Sequence, residues 1–190
     1  YNEYEQMIQP RIVSVNVLMD IYPENQTFMS KGNYTLINKS RQNIDTIVIQ
    51  TPFDVVTKIS ISQKARLITN DTKANNKVYK LETALQPRDS LTINFAVTSI
   101  PNSIYYKNSL VEKNGTYITS LIYPTIGYHP NKTRKMPSDS AALNNHNRSA
   151  DADYINFEAT VSTSEYQTAV APGYLQKKWK ANGRNYFNFK

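Results

Sequence analysis

Residues 91–98 alternate: Leu91, Ile93, Phe95 and Val97 are apolar, and Thr92, Asn94 and Thr98 on the opposite face are polar. A period of two places one set on each face of a β-strand, whereas a helix would smear both sets around its surface. The pattern recurs in residues 11–22. There Val13, Val15, Val17, Met19 and Ile21 face one way and Ser14, Asn16 and Asp20 the other. Many of these residues are β-branched, which suits a pleated, half-buried surface.

The rest of the chain follows the same rhythm. Residues 27–38 predict a second strand with Tyr34 and Leu36 inward, 38–43 a hairpin connection, and 44–50 the returning strand. Further short strands are expected at 55–62, 65–69, 78–81 and, after the turn signal Asn114-Gly115, at 117–122. Turns are expected at 23–26 and 87–90. The chain has only 5 glycines and much asparagine. Asparagine tolerates the left-handed conformation, so it is expected at hairpin tips in place of glycine. The last third predicts a strand over 157–164 and a short buried strand with a Pro-Gly turn over 168–175. A basic connector follows over 177–184, then a strand running to Lys190. A strand that reaches the last residue, and Tyr1 in place of an initiator methionine, are expected of a piece of a larger protein.

These elements predict an all-β domain, a sandwich or saddle of mostly antiparallel sheets, spanning 11–190 behind a polar lead-in at 1–10. One long irregular insertion, about 124–153, interrupts it with Pro124, Pro130 and Pro137. A short helix is expected there over 139–145, capped by Ser138 or Asp139.

Composition narrows the chemistry. Without cysteine, thiolate metal sites, disulfides and a cysteine nucleophile are excluded. No stretch of 18 apolar residues is present, so no helical membrane span is encoded here. The net charge of +7 clusters at 132–135 and 177–184. Such clusters suit a nucleic acid or an anionic surface, but also a solvated basic face; no nucleic-acid-binding motif accompanies them, and no nucleic-acid partner is expected. The two histidines, His129 and His146, have no second histidine or carboxylate at metal-ligand spacing. A zinc site would have to recruit a distant acid such as Asp139. There is no His-Glu-x-x-His helix, no Gly-x-Ser-x-Gly elbow and no glycine-rich phosphate loop. Tyr105, Tyr106, Tyr128 and Trp179 could stack on a ligand, or simply close strand ends and anchor a loop.

The order of several segments resembles the N-terminal β domain of the aminopeptidase N-like zinc peptidases, the gluzincin aminopeptidases. They are Pro10-Arg-Ile with the strand that follows, residues 32–38, residues 44–49, residues 88–91, Tyr123-Pro-Thr-Ile-Gly-Tyr128, and the ending over 157–189. More narrowly, the chain is similar to the version fused behind an ABC-transporter-type permease in Bacteroidetes-like bacteria. The resemblance implies a β saddle packed beside a downstream catalytic domain. That domain would carry the zinc, the catalytic glutamate and the Gly-x-Met-Glu-Asn loop. This chain would then be a non-catalytic accessory domain with no cofactor or metal of its own and no catalytic residues, partnered by that domain and by a peptide. Its place would be the extracytoplasmic (periplasmic) face of a bacterial membrane, reached only through transmembrane segments elsewhere. Tyr123, Pro124, Gly127 and Tyr128 would form a rim, with Trp179 as a further partner contact. The acidic or amide residue that the family places just before this stretch has no counterpart among Thr119 to Ile122. The alternative is an independent β-sandwich module that binds a glycan or a partner protein through Tyr105, Tyr106, Tyr128 and Trp179.

Overall fold

The computed structural model describes residues 4, 7–100, 110–127 and 154–190. Its strands are β1 (Arg11–Tyr22), β2 (Thr27–Ile37), β3 (Ile44–Gln50), β4 (Val55–Ile61), β5 (Ala65–Asp71), β6 (Asn76–Leu85), β7 (Ser90–Ser99), β8 (Thr125–Ile126), β9 (Asn156–Ser164), β10 (Leu175–Ala181) and β11 (Arg184–Phe189). They form a seven-stranded sheet in the order β10-β11-β9-β1-β2-β7-β4 and a four-stranded sheet in the order β5-β6-β3-β8. The fold is all-β, as the alternation predicts. Every pairing is antiparallel except that of β1 with β9.

One core lies between the sheets. The large sheet contributes Phe28, Tyr34, Leu36, Ile93, Phe95 and Val97, and the small sheet contributes Ile44, Ile47, Ile49, Leu81 and Leu85. All four apolar residues predicted inward on β7 are buried. On β1 the alternation is offset. Ile12 pairs with Leu36 and Ser14 with Thr35, so Val13 is an extra residue in a bulge. Ile12, not Val13, therefore packs on the core alongside Val15.

Four sequence expectations need correction. The 38–43 segment is not a hairpin connection, because β2 and β3 lie in different sheets. The cause is Asn38, which is fully buried. Its amide donates to the carbonyls of Gln42 and Leu85, at 2.7 and 2.8 Å, and its oxygen accepts from the Ser40 N–H and hydroxyl. Those side-chain bonds replace a two-stranded ladder and turn the chain across to the other sheet.

Residues 117–122 do not form a strand but an irregular run ending in a 3-10 turn at Ser120–Ile122. Nor is 168–175 a buried strand: Val170 and Tyr174 are each 84% exposed. Gly173 has φ +96°, and a Cβ there would lie 2.7 Å from the Lys190 carbonyl, so the chain folds back instead of extending. The basic connector is in fact strand β10 and a tight turn. Lysine suits an edge strand, because its charge discourages further pairing. β11 ends at Phe189, and Lys190 exchanges two backbone hydrogen bonds with Tyr174.

Asparagine does stand in for glycine. Asn75 and Asn182 have φ near +50°, and Asn182 with Gly183 (φ +70°) makes the two-residue turn between β10 and β11. The expected helix over 139–145, the basic run at 132–135, and both histidines lie outside the described residues.

Candidate functional site

Residues 119–127, which include Tyr123, Pro124 and Gly127 of the expected rim, are short of ladder hydrogen bonds and are held by side chains reaching from elsewhere. Thr119 caps the 3-10 turn by accepting from the Leu121 N–H. The turn buries Ile122 and leaves Leu121 78% exposed. Tyr123 follows, with its ring 5.4 Å from that of Phe95. Its hydroxyl is 3.0 Å from Ser30 Oγ, and Ser30 in turn donates to the Leu18 carbonyl. Pro124 is fully buried, and its carbonyl accepts from the Tyr34 hydroxyl at 3.1 Å. Tyr34, Phe95 and Tyr123 thus form one aromatic run beneath the rim, since the Tyr34 and Phe95 centroids are 4.7 Å apart. Phe95 fits there because Gly32 has no side chain: a Cβ at Gly32 would lie 2.6 Å from the Phe95 ring and 2.5 Å from the Asn16 carbonyl.

The rim ends in a second anchor. Thr125 and Ile126 pair with Gln50 and Ile49 of β3, and the Gly127 N–H donates to the Val48 carbonyl at 2.8 Å. Gln9 continues this edge with its side chain. Gln9 Oε1 accepts from the Val48 N–H at 2.9 Å and Gln9 Nε2 donates to the Thr46 carbonyl at 3.1 Å, as a backbone peptide would. Gly127 has φ +79°, and its missing Cβ would touch Gln9 Cγ at 3.0 Å. Glycine is required there by the dihedral and by the close approach together.

The electrostatics favour proton retention. Burial, and then the neighbouring Tyr123, push the Tyr34 phenol far above the ordinary tyrosine range. Burial also raises Tyr123, while its bond to Ser30 draws it partly back. Phenols held this way donate hydrogen bonds at neutral pH and do not act as bases. Among the described residues, no cluster of three or more His, Cys, Asp or Glu could hold a metal ion. The donors at the rim are phenols, a serine hydroxyl, an amide and carbonyls, which do not fit zinc.

Of the residues singled out in the sequence, Tyr123, Pro124 and Gly127 come together; Tyr128 lies outside the described residues, as do Tyr105 and Tyr106. Trp179 sits apart from them on edge strand β10. Strands β11, β9 and β1 separate it from β2, on the order of 19 Å at the usual strand spacing. Its ring stacks on Tyr186 at 5.2 Å and 13°, with the Lys177 ammonium 5.4 Å away. That stack uses one ring face inside the hairpin itself. Tyr34, Ser30, Phe95 and Gln9 escaped the sequence reading as rim supports. Tyr34 and Phe95 carry only a core signal, and nothing local marks Gln9 as a strand surrogate.

No family model matches the chain. No curated protein matches its sequence either. Solved structures do match in fold. An M1 zinc metallopeptidase from Deinococcus radiodurans is similar with TM-score 0.59 at 14% identity, covering 95% of this chain and 38% of that one. A point mutant of such an enzyme from the same organism, bound to a Tyr-Ser-Ala substrate, gives TM-score 0.58 at 16% identity and covers 39% of its own chain. A two-domain M1 zinc metallopeptidase bound to L-tryptophan gives 0.59 at 15% identity. At these identities the likeness is one of fold. The chain spans about two fifths of the length of these peptidases.

Proposed function

We propose that this chain is a non-catalytic accessory domain of an aminopeptidase-like zinc metallopeptidase, a β wall beside a zinc-bearing catalytic domain supplied by the rest of the protein. The observation that carries this reading is extent: 95% of the chain superposes on 38–39% of peptidases that are themselves much longer. The surface agrees. Tyr117 and Leu121 on the approach to the rim are 88% and 78% exposed, apolar area suited to a neighbouring domain. In this reading Tyr123, Pro124 and Gly127 fix the rim, and a peptide passes along it. A rigid wall limits access and orients an extended substrate without contributing titrating groups.

The resemblance in sequence supports the narrower reading of a permease-fused, extracytoplasmic bacterial protein. The test of the whole reading is zinc content and release of N-terminal residues from short peptides. It compares this chain alone with the full gene product. Zinc and activity confined to the full product are expected. Stoichiometric zinc in this chain alone would overturn the reading and implicate His129 and His146.

A further inference from the structure

The outer face of the large sheet carries a trough that neither the rim nor a domain wall explains. Because Val17, Ser30, Tyr34, Phe95 and Val97 point inward, Leu18, Lys31, Asn33, Asn94 and Ala96 point outward. Register then lines them up in two rows across four strands. One row is Leu18, Lys31, Ala96 and Lys58; the other is Asn16, Asn33, Asn94 and Ser60. Ala96 carries only a methyl between the two lysines, and the surface dips there into an open trough of about 420 Å³ lined by these residues. That volume lies near the low end of small-ligand sites.

The two rows have different chemistry. Lys31 and Lys58 flank Ala96 from either side, so their Cα atoms stand roughly 10 Å apart, two strand spacings. No acidic residue lines the trough, and neither lysine makes an ion pair with a described residue. The amides of Asn16, Asn33 and Asn94 make no hydrogen bond to another described side chain or backbone group. Each amide both donates and accepts, which matches a sugar hydroxyl. Leu18, 54% exposed, offers an apolar surface to the C–H face of a sugar ring.

The geometry points to a binding site for an acidic saccharide. Its carboxylates would engage Lys31 and Lys58, its hydroxyls would meet the asparagine row, one ring would lie over Ala96 between the lysines, and a neighbouring ring would reach Leu18. This site is independent of the peptidase reading and of Trp179. A bare phosphate would use the lysines but leave the amide row idle, and a neutral sugar would leave the lysines unused.

The experiment titrates trigalacturonate into the chain and follows backbone amide shifts. Maltotriose, inorganic phosphate and a single-stranded oligonucleotide serve as comparisons. The expected result is saturable trigalacturonate binding with the largest shifts at Gly32, Lys31 and Ala96, and binding of the other three at least about tenfold weaker. The double variant Lys31→Gln/Lys58→Gln should weaken binding by about tenfold, the sum of two exposed ion pairs. The same charge removed from the turns flanking β5, Lys64→Gln/Lys73→Gln, should leave it unchanged. No saturable binding, shifts centred elsewhere, or equal binding of phosphate or the oligonucleotide would overturn the proposal.

Discussion

The centre of the large sheet and its far hairpin are both antiparallel β-structure, yet they are held by different means. Strands β2 and β7 have partners on both sides and bury Tyr34, Leu36, Ile93, Phe95 and Val97 against the small sheet. The β10–β11 hairpin ends the sheet, and most of β10 is exposed. It is organised locally, by the Asn182-Gly183 turn, by the Trp179–Tyr186 stack, and by Lys178 lying over Phe187 at 5.3 Å. β11 is tied inward by its ladder to β9 and by a side-chain cross-link. Arg184 donates to Ser162 Oγ and to the Ile21 carbonyl at 2.7 Å and covers the Tyr22 ring at 4.4 Å. Long-range burial therefore defines the centre, and local turn and ring contacts hold the outer strand β10.

The sharpest way to break this contrast is at Phe95. It touches the rings of both Tyr34 and Tyr123, so Phe95→Ala should cost about 3–5 kcal/mol of global stability, read by denaturant unfolding. A loss under 1 kcal/mol would mean that the rim does not depend on the sheet centre.

Tyr34→Phe should cost about 1–3 kcal/mol, because it leaves the buried Pro124 carbonyl without its donor. It should also change the response to alkali. Folding raises the Tyr34 phenol above its free value, so its stabilisation is complete below pH of about 10 and is lost as pH rises beyond that. The variant should therefore show a shallower alkaline decline. Tyr123 and Tyr79, which burial also raises, contribute to what remains.

Gly183→Ala is the mildest change, about 1–2 kcal/mol for a left-handed alanine. Amide exchange should place that loss in residues 175–189 and leave β2 and β7 protected. An equal loss of protection in β7 would show that hairpin and centre unfold as one unit.

Much of this was legible in the chain. Bounds of β1 and β3, the inward set on β7, and asparagine in left-handed turns all follow from period and propensity, which act over a few residues. The misreadings have a common physical origin. Whether 38–43 closes a hairpin depends on where Leu85 offers a carbonyl to Asn38, 47 residues away. The lysines of β10 suggest a solvated connector until its partner β11 is in view. At the rim, Tyr123, Pro124 and Gly127 stood out by composition, but their supports did not. Ser30, Tyr34 and Gln9 act there across separations of 93, 90 and 39 residues, which no local pattern encodes.

The glutamine that imitates a peptide has a consequence for how the molecule meets its neighbours. An unpaired strand edge invites docking by other chains. Between Thr46 and Gln50, β3 offers no such template: β8 takes one part of the edge, Gly127 the next, and a single side-chain amide the remainder. Exchanging Gln9 for a residue without an amide would leave the fold's alternation untouched and still expose a length of backbone able to recruit a second copy.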